Sequence, residues 1–220
     1  ISKWNVRKGD VVTPAFFQSN EALALSAQKE INEEFEKGGT GQHLPRVVSS
    51  ALTGQWSFRR RIVHYDKSNP SIITGEDSIH GTIRYSRSRD LDYITYREDG
   101  LYQISEFKSI PVFREYEYVA VGDALEVYFV EGGERAGLFL GLKFSRDKVD
   151  DDGYWVATSE HLCIKDLYKA EFKIKLDGLT ATDVVITYRV KGPAKDYESK
   201  TVMTPKYDLS PNPSNEILQL

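Results

Sequence analysis

Two arginines stand where apolar side chains would be expected. Alternation along a strand places both on faces that should point inward. Arg60 shares its face with Trp56, Phe58 and Ile62, and Arg114 shares its face with Ile110, Val112, Tyr116 and Tyr118. A buried guanidinium is costly unless it is paired. Each arginine therefore either snorkels or pairs with a carboxylate such as Glu98 or Asp166, or it contacts a carbonyl or enolate oxygen of a ligand.

A second group with possible chemistry runs from Glu160 to Tyr168. His161 and Cys163 share one face of a strand, Asp166 falls at the following turn, and Tyr168 begins the next strand. Histidine exchanges protons near neutral pH, and a neighbouring carboxylate or phenol can fix its tautomer. The group is therefore either an acid/base site or a structural hydrogen-bonding cluster. One histidine and one cysteine supply too few ligands for a tetrahedral metal site, so we expect no metal.

A third group, Lys191 to Tyr197, is centred on the dipeptide Gly192-Pro193. Its glycine does not belong to a phosphate-binding loop, because no helix follows it. We interpret the segment as a hairpin turn at a barrel rim, fixed by a pair between a lysine and an aspartate.

Strands are the elements that must position these residues. From Gln55 the hydrophobic pattern has a period of two, and turn signals such as Gly122-Asp123 and Asp152-Gly153 separate most of the segments. We predict strands at Gln55–Tyr65, Ile79–Tyr85, Asp92–Glu98, Leu101–Phe107, Ile110–Val121, Leu125–Val130, Leu138–Phe144, Trp155–Cys163, Leu167–Leu176, Val184–Val190 and Tyr197–Met203. The split between the third and fourth rests on a turn at Asp99-Gly100. Closing such a sheet gives an all-β, lipocalin-like, up-and-down antiparallel barrel of about ten strands around a ligand-sized interior.

The first part of the chain has a helical pattern instead. Ser19-Asn20 resembles a helix cap, Glu21–Lys37 has apolar residues at helical spacing, and Gly38-Gly39 ends the segment. Leu44–Leu52 predicts a second short helix. We therefore expect a helical extension over residues 1–53, one barrel domain over 54–204 and an extended tail over 205–220.

Composition excludes several classes of protein. The chain of 220 residues has 29 basic and 33 acidic residues, whereas a nucleic-acid-binding domain needs a basic excess on one face. No stretch approaches the ~20 apolar residues of a membrane-spanning helix. A single cysteine, Cys163, and the lack of a glycosylation sequon favour a reducing compartment, so we expect the cytoplasm. The chain begins at Ile1, which leaves a trimmed leader open.

Four motifs together resemble a lipocalin-like (calycin) family known as the domain of unknown function 6314. They are Gly54-x-Trp56-x-Phe58-x-Arg60, Tyr96-Arg97-Glu98-Asp99-Gly100, His161-x-Cys163-x-x-Asp166-x-Tyr168 and Gly192-Pro193-x-Lys195-Asp196-Tyr197. The resemblance covers about residues 52–204 and implies the barrel and a site region, but no reaction. This chain departs from the family pattern at Gly137-Leu138, where an aromatic–histidine pair is usual, and this makes the expected cavity more apolar.

The sequence contains no dinucleotide fingerprint or phosphate-binding loop. We therefore expect a cofactor-independent isomerase, cyclase or lyase that acts on a small, largely apolar, natural-product-like molecule inside the barrel. A non-catalytic carrier or sensor of a hydrophobic ligand is the alternative. A haem barrel is disfavoured because no histidine follows His161.

The residues expected to form the site follow from these arguments. The expected catalytic residues are His161, Tyr168 and Arg60. The expected ligand contacts are Trp56, Phe58, Arg114, Tyr116, Tyr118, Leu138, Cys163, Asp166 and Tyr188.

Overall fold

A computed structural model describes residues 5–6, 44–88, 93–144, 149–178 and 180–206. Within these ranges the chain forms one helix and eleven strands. They are β1 (Asn5–Val6), α1 (Leu44–Leu52), β2 (Gly54–Tyr65), β3 (Ile73–Arg87), β4 (Tyr93–Ser105), β5 (Lys108–Val121), β6 (Ala124–Glu131), β7 (Glu134–Leu142), β8 (Tyr154–Cys163), β9 (Asp166–Asp177), β10 (Thr180–Lys191) and β11 (Asp196–Pro205). The predicted helix over Glu21–Lys37 and the tail after Lys206 lie outside the described residues.

The strands form one antiparallel sheet that curls into a nearly closed barrel. The strand order is β7-β6-β5-β4-β3-β2-β11-β10-β9-β8, and the short β1 pairs with β5. The end strands β7 and β8 approach each other, and the backbone N–H of Gly141 donates a hydrogen bond to Ser159 Oγ at 3.2 Å, but no strand ladder joins them in the described residues. The predicted up-and-down barrel of about ten strands with a short N-terminal helix is confirmed.

Helix α1 packs against one end of the barrel, which we call the closed end. Its apolar side chains, Leu44, Val47, Val48, Ala51 and Leu52, are buried, and the helix contacts β5, β6 and β10. Pro45 is tolerated because it lies in the first turn, where no backbone N–H is needed. Trp56 at the start of β2 donates a hydrogen bond from Nε1 to the Leu52 carbonyl oxygen at 2.8 Å. The hairpin loops 66–72, 106–107, 132–133, 164–165 and 192–195 surround the opposite, open end.

The predicted turn at Asp99-Gly100 is wrong, because β4 runs through it without a break. Gly100 lies directly opposite Gly81 of β3. A Cβ atom on Gly81 would lie only 2.1 Å from the Asp99 carbonyl oxygen, and one on Gly100 would lie 2.9 Å from Ile79 Cγ2. These glycines therefore permit a close approach between two strands, which is a common use of glycine inside a sheet.

Candidate functional site

A cavity of about 270 Å³ occupies the half of the barrel nearer the open end. Its apolar and aromatic walls come from Ile62, Tyr102, Ile110, Val112, Phe139, Tyr168, Tyr188 and Tyr197. Its polar lining comes from Arg60, His64, Asp77, Arg114 and Ser199. Tyr188 and Phe139 stack with their ring centroids 5.9 Å apart. The cavity is thus a mostly apolar chamber with a few polar groups, which is the usual character of a small-molecule site.

Arg60 is held by a buried carboxylate. Its Nη1 and Nη2 atoms donate to the two carboxylate oxygens of Glu98 at 2.8 and 2.9 Å, and its Nε donates to Thr201 Oγ1 at 2.6 Å. Tyr96 donates a further hydrogen bond from its hydroxyl to Glu98. Burial alone would lower the pKa of Arg60, but the Glu98 carboxylate outweighs burial and raises the pKa above its ordinary value. Glu98, one of the two partners expected from the sequence, therefore pairs with Arg60.

Arg114 lies opposite Glu98 in the register of β4 and β5. Its guanidinium carbon is 5.9 Å from the centroid of the Tyr116 ring. Both arginines line the cavity, but Arg60 is only 6% exposed, whereas the Arg114 side chain keeps part of its surface accessible. Burial lowers its pKa, but nearby Tyr116 and Glu98 more than compensate and raise the pKa. Arg114 is therefore a permanently charged donor at the cavity wall.

A polar set that the sequence analysis did not select lies on the side of the cavity formed by β2, β3 and β4. His64 Nε2 donates to Asp77 Oδ2 at 2.7 Å, and both side chains are about one-third exposed, at 36% and 30%. Tyr102 also hydrogen-bonds to Asp77, and burial together with this contact raises the pKa of Tyr102 to about 12. A carboxylate that accepts from one imidazole nitrogen fixes the tautomer and leaves the other nitrogen as a proton acceptor. This set can therefore move a proton.

The sequence contained a signal for this set. Alternation along β2 places His64 on the same inward face as Arg60. On β3, Asp77 lies two residues before Ile79 and therefore shares its inward face. The cross-strand register, which pairs Asp77 with Ile62, was the missing information.

The predicted group from His161 to Tyr168 divides between three environments. Tyr168 lines the cavity, whereas His161 is not among the lining residues and packs edge-on against Phe139, with ring centroids 5.4 Å apart. Asp166 binds Lys195 across the rim, with Nζ 2.6 Å from Oδ2, and Lys195 also donates to the Tyr168 hydroxyl at 3.1 Å. Burial would lower the pKa of Lys195, but Asp166 and Tyr168 raise it.

The lysine at the Gly192-Pro193 turn does pair with an aspartate, but that aspartate belongs to a different hairpin. Lys195 binds Asp166 of the neighbouring hairpin, while Asp196 binds Arg189 of its own hairpin.

The remaining expected ligand contacts occupy four kinds of place. Tyr188 lines the cavity, whereas Cys163 on β8 is half-buried and is not among the lining residues. Trp56, Phe58, Tyr116 and Tyr118 are buried in the core between the cavity and the closed end. Leu138 is 46% exposed, and its neighbour Phe139 lines the cavity instead. Register shifts between β6 and β7 displace the alternation there by one residue.

We also searched the described residues for metal-binding clusters and for membrane-spanning helices. These residues contain no cluster of three or more His, Cys, Asp or Glu side chains arranged to hold a metal ion. No helix in the described ranges is long and apolar enough to cross a membrane.

Comparisons with known proteins add the following findings. The model of the family of unknown function DUF6314 matches residues 52–205. No curated protein matches the sequence. Among solved structures, the S-type phycobiliprotein lyase CPES from Guillardia theta is similar, with 8% sequence identity and a TM-score of 0.47, over 76% of this chain and 98% of that chain.

Proposed function

We propose that this chain, which belongs to the DUF6314 family of unknown function, binds a small, largely apolar molecule inside its barrel. The cavity carries the proposal, because aromatic and aliphatic side chains form most of its walls. Its volume of about 270 Å³ is slightly below the ~300–1,000 Å³ usual for ligand pockets, so we expect a small ligand.

The polar groups of the cavity indicate how such a molecule would be oriented. Arg60 is already engaged by Glu98, so its main contribution is to position the wall. Arg114 keeps accessible surface in the cavity and suits a carbonyl or carboxylate oxygen. We expect the apolar body of the ligand to lie between Phe139, Tyr188 and Ile62.

Filling the cavity tests this proposal. Ile62→Trp should displace any ligand that co-purifies with the protein, as measured by mass spectrometry of the extracted small molecules. Val202→Trp is the matched control, because Val202 faces outward from β11 and is 39% exposed. Equal ligand content in both variants would place the binding site outside the cavity. The proposal would also fail if the wild type contained no co-purified ligand and bound no small apolar molecule added to it.

A second function, proton transfer on the bound molecule, is favoured by His64, Asp77 and Tyr102. In this proposal the His64 imidazole removes a proton from a carbon beside a carbonyl group, while Asp77 holds the tautomer. Arg114 stabilises the enolate oxygen that develops. The protein would then be a cofactor-independent isomerase, cyclase or lyase. Tyr168 remains a candidate proton donor at the wall. His161 packs against Phe139 and does not line the cavity, so His64 is better placed to act on the bound molecule.

The probe 5-nitrobenzisoxazole separates this enzyme from a carrier or sensor. A base removes its ring C–H proton, the N–O bond breaks, and a coloured phenolate forms. We expect the wild type to accelerate this reaction and His64→Gln to lower the rate by about 10²-fold or more. His161→Gln is the matched control and should keep the rate. The reverse result would return the role to His161, and an unaccelerated reaction in a protein that still binds the probe would favour a carrier.

A further inference from the structure

One side of the cavity is formed by a single aromatic ring. The other lining residues come from β2 to β5 and from β9 to β11. Within the described residues, the three strands β6, β7 and β8 contribute only Phe139 to the lining. The Phe139 side chain is buried, at 5% exposure. The cavity wall on that side therefore depends on one side chain.

A β-bulge directs Phe139 into the barrel. Val127 on β6 pairs with Leu140 on β7. The next residue of β6, Tyr128, pairs with Leu138, so Phe139 is the extra residue on β7. Leu138 is exposed, although alternation from Leu140 would place it inside. Bulges are frequent next to functional sites, where they change the direction of a side chain. This bulge interrupts the ladder and places an aromatic ring in the cavity wall.

The Phe139 ring contacts both the cavity and a histidine outside it. Tyr188 stacks on the ring with centroids 5.9 Å apart, and Tyr168 packs edge-on at 5.8 Å. Both tyrosines line the cavity. His161 packs edge-on against the same ring at 5.4 Å but is not among the lining residues. Space left by removal of this ring would therefore adjoin the cavity and the His161 imidazole.

The volume of the cavity makes the loss of one ring significant. The cavity measures about 270 Å³, and an apolar cavity of about 150 Å³ is large enough to bind benzene. The phenyl ring of Phe139 has the size of one six-membered ring of a ligand. Without it, the cavity would accept a molecule that is larger by about one ring.

We propose that Phe139 is the specificity-determining residue of the cavity. Its ring limits the size of the bound molecule and keeps that molecule away from His161. The inference rests on the proposed binding of a small apolar molecule inside the barrel. It adds the side chain that sets the size limit and the chemical group that this limit excludes.

Calorimetric titration with phenol, 2-naphthol and 2-anthrol tests the size limit, because these molecules differ by one fused ring each. Phe139→Ala should raise the affinity for 2-anthrol relative to 2-naphthol about tenfold over the wild type, since the vacated space buries one more ring. Phe129→Ala is the matched control. Phe129 also contacts Phe139 and His161, with centroids 4.6 and 6.2 Å apart, but it does not line the cavity. This variant should keep the wild-type preference.

Proton NMR of the histidine rings tests the separation from His161. The chain has four histidines, and the variants His64→Gln and His161→Gln identify the two signals of interest. In the wild type, 2-naphthol should shift the signal of His64, which lines the cavity, and leave that of His161 unchanged. In Phe139→Ala, 2-anthrol should shift both signals. In Phe129→Ala, only the His64 signal should move.

Phe139→Leu keeps the test valid if circular dichroism shows that Phe139→Ala does not fold. Leucine is smaller than phenylalanine but still apolar, so the preference should change in the same direction and by less. The inference would be overturned if the wild type bound 2-naphthol with a shifted His64 signal while neither variant of Phe139 changed the preference or the His161 signal. The proposed binding would then still stand.

An equal change in Phe129→Ala would also overturn the inference, because any loosening of the aromatic cluster would then alter the size limit. A wild type that binds none of the three molecules and shows no shift of the His64 signal would count against the proposed binding itself, and the size limit would fail with it.

Discussion

Replacing Arg60 by methionine removes a charge from the barrel interior while keeping much of the apolar stem. Glu98, which is fully buried at 0% exposure, would lose both of its guanidinium hydrogen bonds and remain as a carboxylate away from water. Removing one partner of a buried ion pair typically costs ~3–5 kcal/mol. For a chain of 150–250 residues, ~1 kcal/mol shifts the melting temperature by roughly 2–4 °C, so we expect a decrease of about 6–20 °C.

The double variant Arg60→Met/Glu98→Met sharpens this prediction. A well-packed apolar pair often replaces a buried ion pair without loss of stability, so the double variant should be more stable than Arg60→Met alone. The two substitutions should therefore be strongly non-additive in urea unfolding followed by circular dichroism. The matched control is Arg61→Met, because Arg61 also pairs with a glutamate, Glu76, but both side chains are exposed. It should have little effect.

A near-normal melting temperature for Arg60→Met would refute this reasoning. It would mean that Glu98 does not depend on Arg60, and that the arginine is available to a ligand as a primary contact. Equal losses in Arg60→Met and Arg61→Met would refute it as well, because burial is the difference between the two pairs.

Three further predictions follow from the fold and the cavity. Trp56→Ala should lower the free energy of unfolding by ~3–5 kcal/mol, since Trp56 is 2% exposed, and a small change in urea unfolding would mean that it does not anchor the closed end. Gly81→Ala should lower the melting temperature far more than Gly137→Ala. A Cβ atom on Gly81 would lie 2.1 Å from the Asp99 carbonyl oxygen, whereas one on Gly137 would have no neighbouring atom within 4 Å. Similar melting temperatures for the two variants would contradict this. Asp77→Asn should lower the pKa of Tyr102 from about 12, because the anion that disfavours the phenolate is gone, and an unchanged ultraviolet titration would show that burial alone sets it.

The sequence predicted the parts of the barrel that obey strict alternation. Strand β2 has no irregularity before His64, so the alternation of inward and outward side chains correctly predicted that Trp56, Phe58 and Arg60 face the interior. The same alternation failed on β7, where register shifts expose Leu138 and bring Phe139 inward. Alternation describes a strand by itself, but a bulge depends on the neighbouring strand.

The candidate site was harder to predict because its contacts join distant parts of the chain. The pairs of Arg60 with Glu98 and of His64 with Asp77 both depend on register between strands, which composition and local spacing do not specify. The Asp99-Gly100 dipeptide was misleading for a related reason. It has the composition of a tight turn, but Gly100 is required by the approach of Gly81 on the next strand.

The interval between β7 and β8 determines where the barrel wall opens locally. Every other strand junction around the wall is a ladder, whereas in the described residues this one is bridged by the hydrogen bond from Gly141 to Ser159. Among the described residues, backbone amides that face the interval have no ladder partner to protect them, and local opening begins where such protection is weakest. In hydrogen–deuterium exchange, we expect β7 to exchange before β2 or β3, which are paired on both sides. The junction between β7 and β8 is thus the least stable part of the wall, and these two strands can separate while the other strand ladders remain formed.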